Sequence, residues 1–235
     1  MTRDLVCLHG INNTGRAFDG LDRALLNGWT IHTPDLPPLA DVDLIAANLL
    51  AALPQDFVLM GHSFGGYVAL AILAQAPERV RGLVLLNSNT AADSPAMAER
   101  RHELAARADA GGYTELAEAA TAITYHADAL GRPKLMEART RDLAAYGPAR
   151  YAAHQRACAI RPDRGALLAA HDGPVLVLAA REDRVITWAD QAAMAERVGA
   201  DLRIVEGAGH MLPAEKPDQV SANLGDWLAE RFPAP

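Results

Sequence analysis

Cysteine is scarce in this 235-residue chain: there are two, Cys7 and Cys158, with no metal-ligand or redox spacing. That leaves no basis for a disulfide framework, and Cys7, set in an apolar run, reads as a buried free thiol. Positive charge is also in deficit. Lys and Arg total 22 against 29 Asp and Glu, a formal net charge of -7, and no basic cluster breaks the pattern. Nucleic acid and anionic membrane are thereby excluded as partners, since both need a positive surface. No apolar stretch reaches membrane-spanning length. Met1-Thr2-Arg3-Asp4 leads into an apolar segment ending at His9-Gly10 that is too short and wrongly flanked for a signal peptide. A soluble, cytoplasmic protein is expected. Neither a metal-binding cluster nor a nucleotide-binding fingerprint is visible, so no cofactor is expected.

What is present is an ordinary globular composition, 50% hydrophobic and 22% charged, long enough for one sizeable domain with a modest insertion. Short apolar runs recur at Leu5–Leu8, Thr30–Thr33, Phe57–Met60, Gly82–Leu86, Pro174–Ala179 and Leu202–Val205. Most are apolar throughout, as parallel strands covered on both faces must be. Stretches of helical character separate them, clearest at Arg16–Leu26, Asp41–Leu53, Tyr67–Ala76, Trp188–Val198 and Pro217–Arg231. The alternation predicts an α/β fold with a doubly wound, mainly parallel sheet.

Between Asn87 and Gly173 the alternation stops and no strand is evident. Ser94-Pro95 has the form of a helix start and Gly111-Gly112 of a stop. Further helices are expected over Thr114–His126, Pro133–Ala145 and Pro148–Ala159. The division expected is therefore a core over residues 1–90, a helical cap over 91–170 and the rest of the core over 171–235.

Chemistry is concentrated at Gly61-His62-Ser63-Phe64-Gly65-Gly66, a G-x-S-x-G pentapeptide between the apolar run Phe57–Met60 and the helix Tyr67–Ala76. A sharp strand-to-helix turn would project the Ser63 hydroxyl from the sheet edge, and Gly61 and Gly65 would relieve the crowding it creates. The Phe64 N–H, at the start of that helix, is aimed where an oxyanion would develop. A serine needs a base, and His210, in Gly207-Ala208-Gly209-His210 after the last apolar run, is the candidate. The imidazole needs a carboxylate, and Asp183 follows the strand Pro174–Ala179. Its neighbour Glu182 and Asp93 are alternatives. The loop Leu8-His9-Gly10-Ile11 offers the Ile11 N–H as a second oxyanion donor.

The chain resembles the α/β-hydrolase superfamily at His9-Gly10, Asp35-Leu36-Pro37, Gly61 through Gly66, Asp183 and Gly209-His210. The resemblance implies Ser63 as nucleophile, His210 as base, Asp183 as acid, and the Ile11 and Phe64 amides as oxyanion hole. It implies a serine hydrolase, carboxylesterase-like, cleaving an ester or thioester of a small or slender acyl group. Dehalogenase and epoxide hydrolase chemistry need Asp at the position of Ser63. The family's first two strands are expected to be missing, and Pro38-Leu39-Ala40 replaces its glycine-rich continuation. A non-hydrolytic ligand receptor, and a cofactor-free haloperoxidase or lyase using the same residues, are the competing functions. His9 is expected to support its loop and His62 to pack beside the serine. His102, His126, His154 and His171 are expected on the surface or in the cap. Arg100-Arg101 and Arg139-Arg141 read as solvated faces, with a substrate carboxylate clamp as the alternative.

Overall fold

The computed structural model describes residues 3–233. Six strands, β1 (Arg3–Leu8), β2 (Trp29–His32), β3 (Phe57–His62), β4 (Val80–Leu86), β5 (Val175–Ala180) and β6 (Asp201–Val205), form one sheet in the order β2-β1-β3-β4-β5-β6. Every neighbouring pair is parallel. Because successive residues of a strand face opposite sides, each apolar run feeds two cores at once. Phe57 and Leu59 enter one cluster with Val6, Leu8, Leu83, Leu85 and Val177, whereas Val58 and Met60 enter the other with Leu5, Cys7, Val84, Leu86 and Leu178. That is why the strand runs show no polar alternation.

Helices α1 (Val42–Leu50) and α2 (Phe64–Gln75) cover the first face, where Phe64 through Leu73 are all buried. Between β4 and β5 the chain runs through α3 (Pro95–Arg107), α4 (Tyr113–Thr124), α5 (Ala127–Leu130), α6 (Pro133–Ile160) and α7 (Gly165–Ala169). The Ser94 side chain caps α3 by accepting from the Met97 N–H. At Gly147 α6 is broken: its φ of 74° is costly for residues with a Cβ, and Pro148 has no N–H to continue the ladder. Two helices were expected across this point, and the break falls between them. On the sheet's first face α8 (Trp188–Val198) also packs, while α9 (Leu212–Glu215) and α10 (Pro217–Arg231) contribute to the second core.

Arg16–Leu26, expected as a helix, is instead a 3-10 turn at Gly15–Phe18 followed by turns. The reason is α10. The Asp22 N–H donates to Ser221 Oγ at 2.8 Å, a Cβ on Gly20 would press on Pro217, and one on Gly225 would meet the Leu25 carbonyl. Contact with α10 takes the Asp22 N–H that a helix would use, and α10 packs closely on the segment at Gly20 and Leu25. Among the described residues no helix is long and apolar enough to cross a membrane.

Candidate active site

The register aligns the C-terminal ends of the strands. Leu8 pairs with Gly61 and Gly61 with Leu85, so the turns leaving β1, β3 and β4 emerge side by side. Ser63 sits where β3 passes into α2 at φ 53° and ψ -119°, a conformation strained for a residue with a Cβ. Its surroundings hold it there. A Cβ on Gly61 would collide with the Gly65 carbonyl and one on Gly65 with the Leu8 carbonyl, so the turn packs against β1 more closely than any side chain permits. The Ser63 N–H donates to the Leu86 carbonyl at 3.0 Å, and its own carbonyl accepts from Ser88 Oγ at 2.8 Å.

His210, from the loop after β6, lies with Nε2 2.8 Å from Ser63 Oγ and Nδ1 2.8 Å from Asp183 Oδ2. The Asp183 carboxylate is fixed by its other oxygen, which accepts from the Val185 N–H at 2.7 Å and the Ile186 N–H at 3.0 Å. The alternatives are engaged elsewhere: Glu182 accepts from the Ala208 N–H, and Asp93 is paired with Arg101 and Arg161. Ser63, His210 and Asp183 thus form one hydrogen-bonded row.

Ile11, in the turn after β1, and Phe64, the first residue of α2, both line a cavity of about 400 Å³ that includes Ser63 and His210. The Phe64 N–H has no carbonyl a turn before it, as at any helix start. The Ile11 turn is held by partners from α4 and α6. Arg139 Nη1 donates to the Asn12 carbonyl at 2.5 Å, and the Tyr113 hydroxyl lies 3.2 Å from Asn12 Oδ1. Arg139, read from sequence as part of a solvated face, is buried at 4% exposure. Among the described residues no group of three or more His, Cys, Asp or Glu side chains is arranged to hold a metal ion.

The family model described as the alpha/beta hydrolase family matches residues 5–223. The chain belongs to this family. Among the proteins similar to it, lipase LipV of Mycobacterium tuberculosis is 31% identical over 255 aligned positions, covering 97% of this chain and 94% of the lipase. The pimeloyl-[acyl-carrier protein] methyl ester esterase of Aeromonas hydrophila is 35% identical over 96 residues. That match covers 37% of this chain and spans 38% of the length of the esterase. A thermophilic esterase from Thermogutta terrifontis, solved with malate bound, superposes with a TM-score of 0.90 at 26% identity, covering 97% of this chain and 90% of the esterase.

Several side chains around the candidate site carried no sequence signal. Asn87, at the end of β4 with φ 45°, donates through Nδ2 to the Gly209 and His210 carbonyls and accepts from the Ala180 N–H. It ties the histidine loop to β5. Glu215, at 3% exposure, accepts from the N–H groups of Gly209 and Met211, on either side of His210, and from the His126 N–H. Burial pushes its carboxyl above the usual range while those three N–H groups pull it down. A Glu215→Gln variant turns an amide NH₂ toward backbone donors. It is expected to cost about 2 kcal/mol in urea unfolding and to lower kcat about tenfold, because the loop carrying His210 loses its anchor.

Three further histidines, His9, His62 and His154, are buried and hydrogen-bonded within the protein. Nε2 of His9 accepts from the Leu36 N–H at 3.0 Å, so Nδ1 carries the proton toward the Gly10 carbonyl. This fixes the loop Asp35-Leu36-Pro37 against the Ile11 turn. His62 Nε2 donates to the His210 carbonyl at 2.8 Å. His154, expected on the surface or in the cap, is fully buried in α6, stacked on Phe64 at 4.5 Å and hydrogen-bonded to Tyr146 and the Pro37 carbonyl. Burial lowers these three from 6.5, to about 4 for His9 and about 3 for His62 and His154. Unfolding returns them to 6.5, so below that pH the unfolded chain binds more protons and stability falls as pH falls toward 4. Each contributes up to about 1.4 kcal/mol per pH unit in this window. The urea midpoint is expected to drop between pH 7 and pH 5, and a His154→Gln variant to flatten the dependence.

Proposed function

We propose that this protein is a serine hydrolase that cleaves carboxylic esters or thioesters of small or slender acyl groups. The observation that carries the proposal is the row Ser63–His210–Asp183, with both hydrogen bonds at 2.8 Å. The names of the relatives, two esterases and a lipase, support ester hydrolysis.

Ser63 Oγ adds to the substrate carbonyl carbon as its proton passes to His210 Nε2. Asp183 accepts from Nδ1, keeps the imidazole in the tautomer that leaves Nε2 free, and stabilises the cation that forms. The Ile11 and Phe64 N–H groups stabilise the tetrahedral oxyanion, aided by the positive end of α2. Collapse breaks the bond to the leaving oxygen or sulfur, which takes the proton from His210 and departs as alcohol or thiol. Water then adds to the acyl-enzyme, again losing a proton to His210. The second collapse frees the acid and returns the proton to Ser63.

Helices of residues 91–170 act as a cap in this account. Residues of α3, α4 and α6 line the cavity of about 400 Å³ opposite Ser63, a size suited to small acyl groups. Hydrolysis of p-nitrophenyl acetate, butyrate and octanoate tests the reading. Turnover preceded by a burst of one p-nitrophenolate per protein is expected. No hydrolysis by folded protein would favour a ligand receptor, and activity dependent on peroxide and halide a haloperoxidase.

A further inference from the structure

The wall of the cavity beside Ser63 is positively charged in a chain whose net charge is -7. Four arginines line it, Arg100, Arg101, Arg139 and Arg161, and among the described residues Asp93 is the sole acidic side chain that does. Asp93 serves two of the arginines. Its Oδ2 accepts from Arg101 Nε at 2.9 Å and its Oδ1 from Arg161 Nη2 at 2.8 Å. One carboxylate between two guanidinium groups leaves one positive charge uncompensated, which in a partly buried cavity is costly unless a further anion arrives.

The two arginines are not equivalent. Arg161 is used up: Nε donates to the Ala91 carbonyl, Nη1 to the Cys158 carbonyl, and its plane lies 4.0 Å over the Tyr67 ring. Arg101 is held at two of its nitrogens, Nε donating to Asp93 Oδ2 and Nη1 to Gln155 Oε1, each at 2.9 Å. Its Nη2 has no acceptor among the described residues, and the side chain is partly exposed. The guanidinium is therefore oriented by the protein but still has donors to offer, the condition for charge-assisted recognition of a carboxylate. Arg100, the preceding residue of α3, is exposed on the same wall. Met97 and Leu104 flank the pair one turn away on either side, so the cavity face of α3 is apolar with a cationic centre.

We propose that Arg101, with Arg100 beside it, is the subsite for an anionic group at the far end of the acyl chain, so that the preferred substrate is a monoester of a dicarboxylic acid. This rests on the serine hydrolase reading above. Ser63 and Arg101 line the same cavity of about 400 Å³, so an acyl chain joining the reacting carbonyl to the charged end must be short enough to fit within it.

The test compares monomethyl adipate with methyl hexanoate, the uncharged ester of the same acyl length, and measures adipate binding by titration calorimetry. The native protein is expected to show kcat/KM at least tenfold higher for the charged ester. In Arg101→Gln, where Arg161 still pairs with Asp93, that ratio is expected to fall toward one and adipate to bind about tenfold more weakly. Arg101→Lys, which keeps the charge without the fork, should restore part of the ratio. Equal or lower efficiency on monomethyl adipate with methyl hexanoate turned over would overturn the subsite and leave the hydrolase standing. Adipate bound and weakened by Arg101→Gln, with neither ester cleaved, would support the subsite and sink the hydrolase. Absence of adipate binding together with absence of cleavage would sink both.

Discussion

Replacing Ser63 by alanine is expected to lower kcat/KM for ester hydrolysis by about 10⁵-fold while leaving the fold intact. The two halves of that expectation have separate causes. Alanine keeps the Cβ, so the backbone at φ 53° sees the same neighbours and the same strain. The single hydrogen bond its side chain loses is the one to His210 Nε2. The midpoint of thermal unfolding should therefore shift by no more than a few degrees. Activity, in contrast, loses the atom that forms the acyl-enzyme, and what remains is water attack assisted by the oxyanion donors. Circular dichroism melting and turnover of p-nitrophenyl butyrate check both halves. Activity within tenfold of native would mean that the nucleophile lies elsewhere.

Asp183→Asn is expected to cost about 10⁴-fold in kcat with little change in KM. The geometry gives the reason. Oδ1 accepts two backbone N–H groups, from Val185 and Ile186, so the asparagine oxygen must take that place. The amide NH₂ then faces His210 Nδ1, where it can only donate. Nδ1 becomes the acceptor, the ring proton moves to Nε2, and Nε2 can no longer take the serine proton. The contrasting variant is Glu182→Gln, adjacent in sequence but bonded to the Ala208 N–H. It should stay within tenfold of native. Comparable losses in both variants would remove Asp183 from its assigned role.

The parts of the fold legible in sequence were those set by local pattern. Uninterrupted apolar runs such as Phe57–Met60 mark strands covered on both faces, and Gly61 and Gly65 mark a turn without room for side chains. Trp188–Val198 matches its helix at both ends because Thr187 caps its start and the left-handed Gly199 its end, and Pro217–Arg231 opens on a proline suited to the first helical position. Ser63, His210 and Asp183 could be named because each follows a strand, and the sheet brings strand ends together. Asn87, Glu215, Arg139 and His154 could not. Asn87 reaches His210 across 123 positions and Arg139 reaches Asn12 across 127, distances at which no spacing rule operates. Their role is to hold the loops that carry the site, and only packing reveals it. The same limit explains Arg16–Leu26, whose helical composition is overridden by contact with Ser221, Pro217 and Gly225.

The most direct test of the central claim is reaction with a fluorophosphonate probe followed by peptide mass spectrometry. An activated serine displaces fluoride and is left as a stable phosphonyl ester, whereas an ordinary hydroxyl does not react. The account predicts one adduct, on Ser63, lost in Ser63→Ala and strongly slowed in His210→Ala. An unmodified Ser63 in folded protein, under conditions where the probe enters the cavity and esters are cleaved, would contradict it.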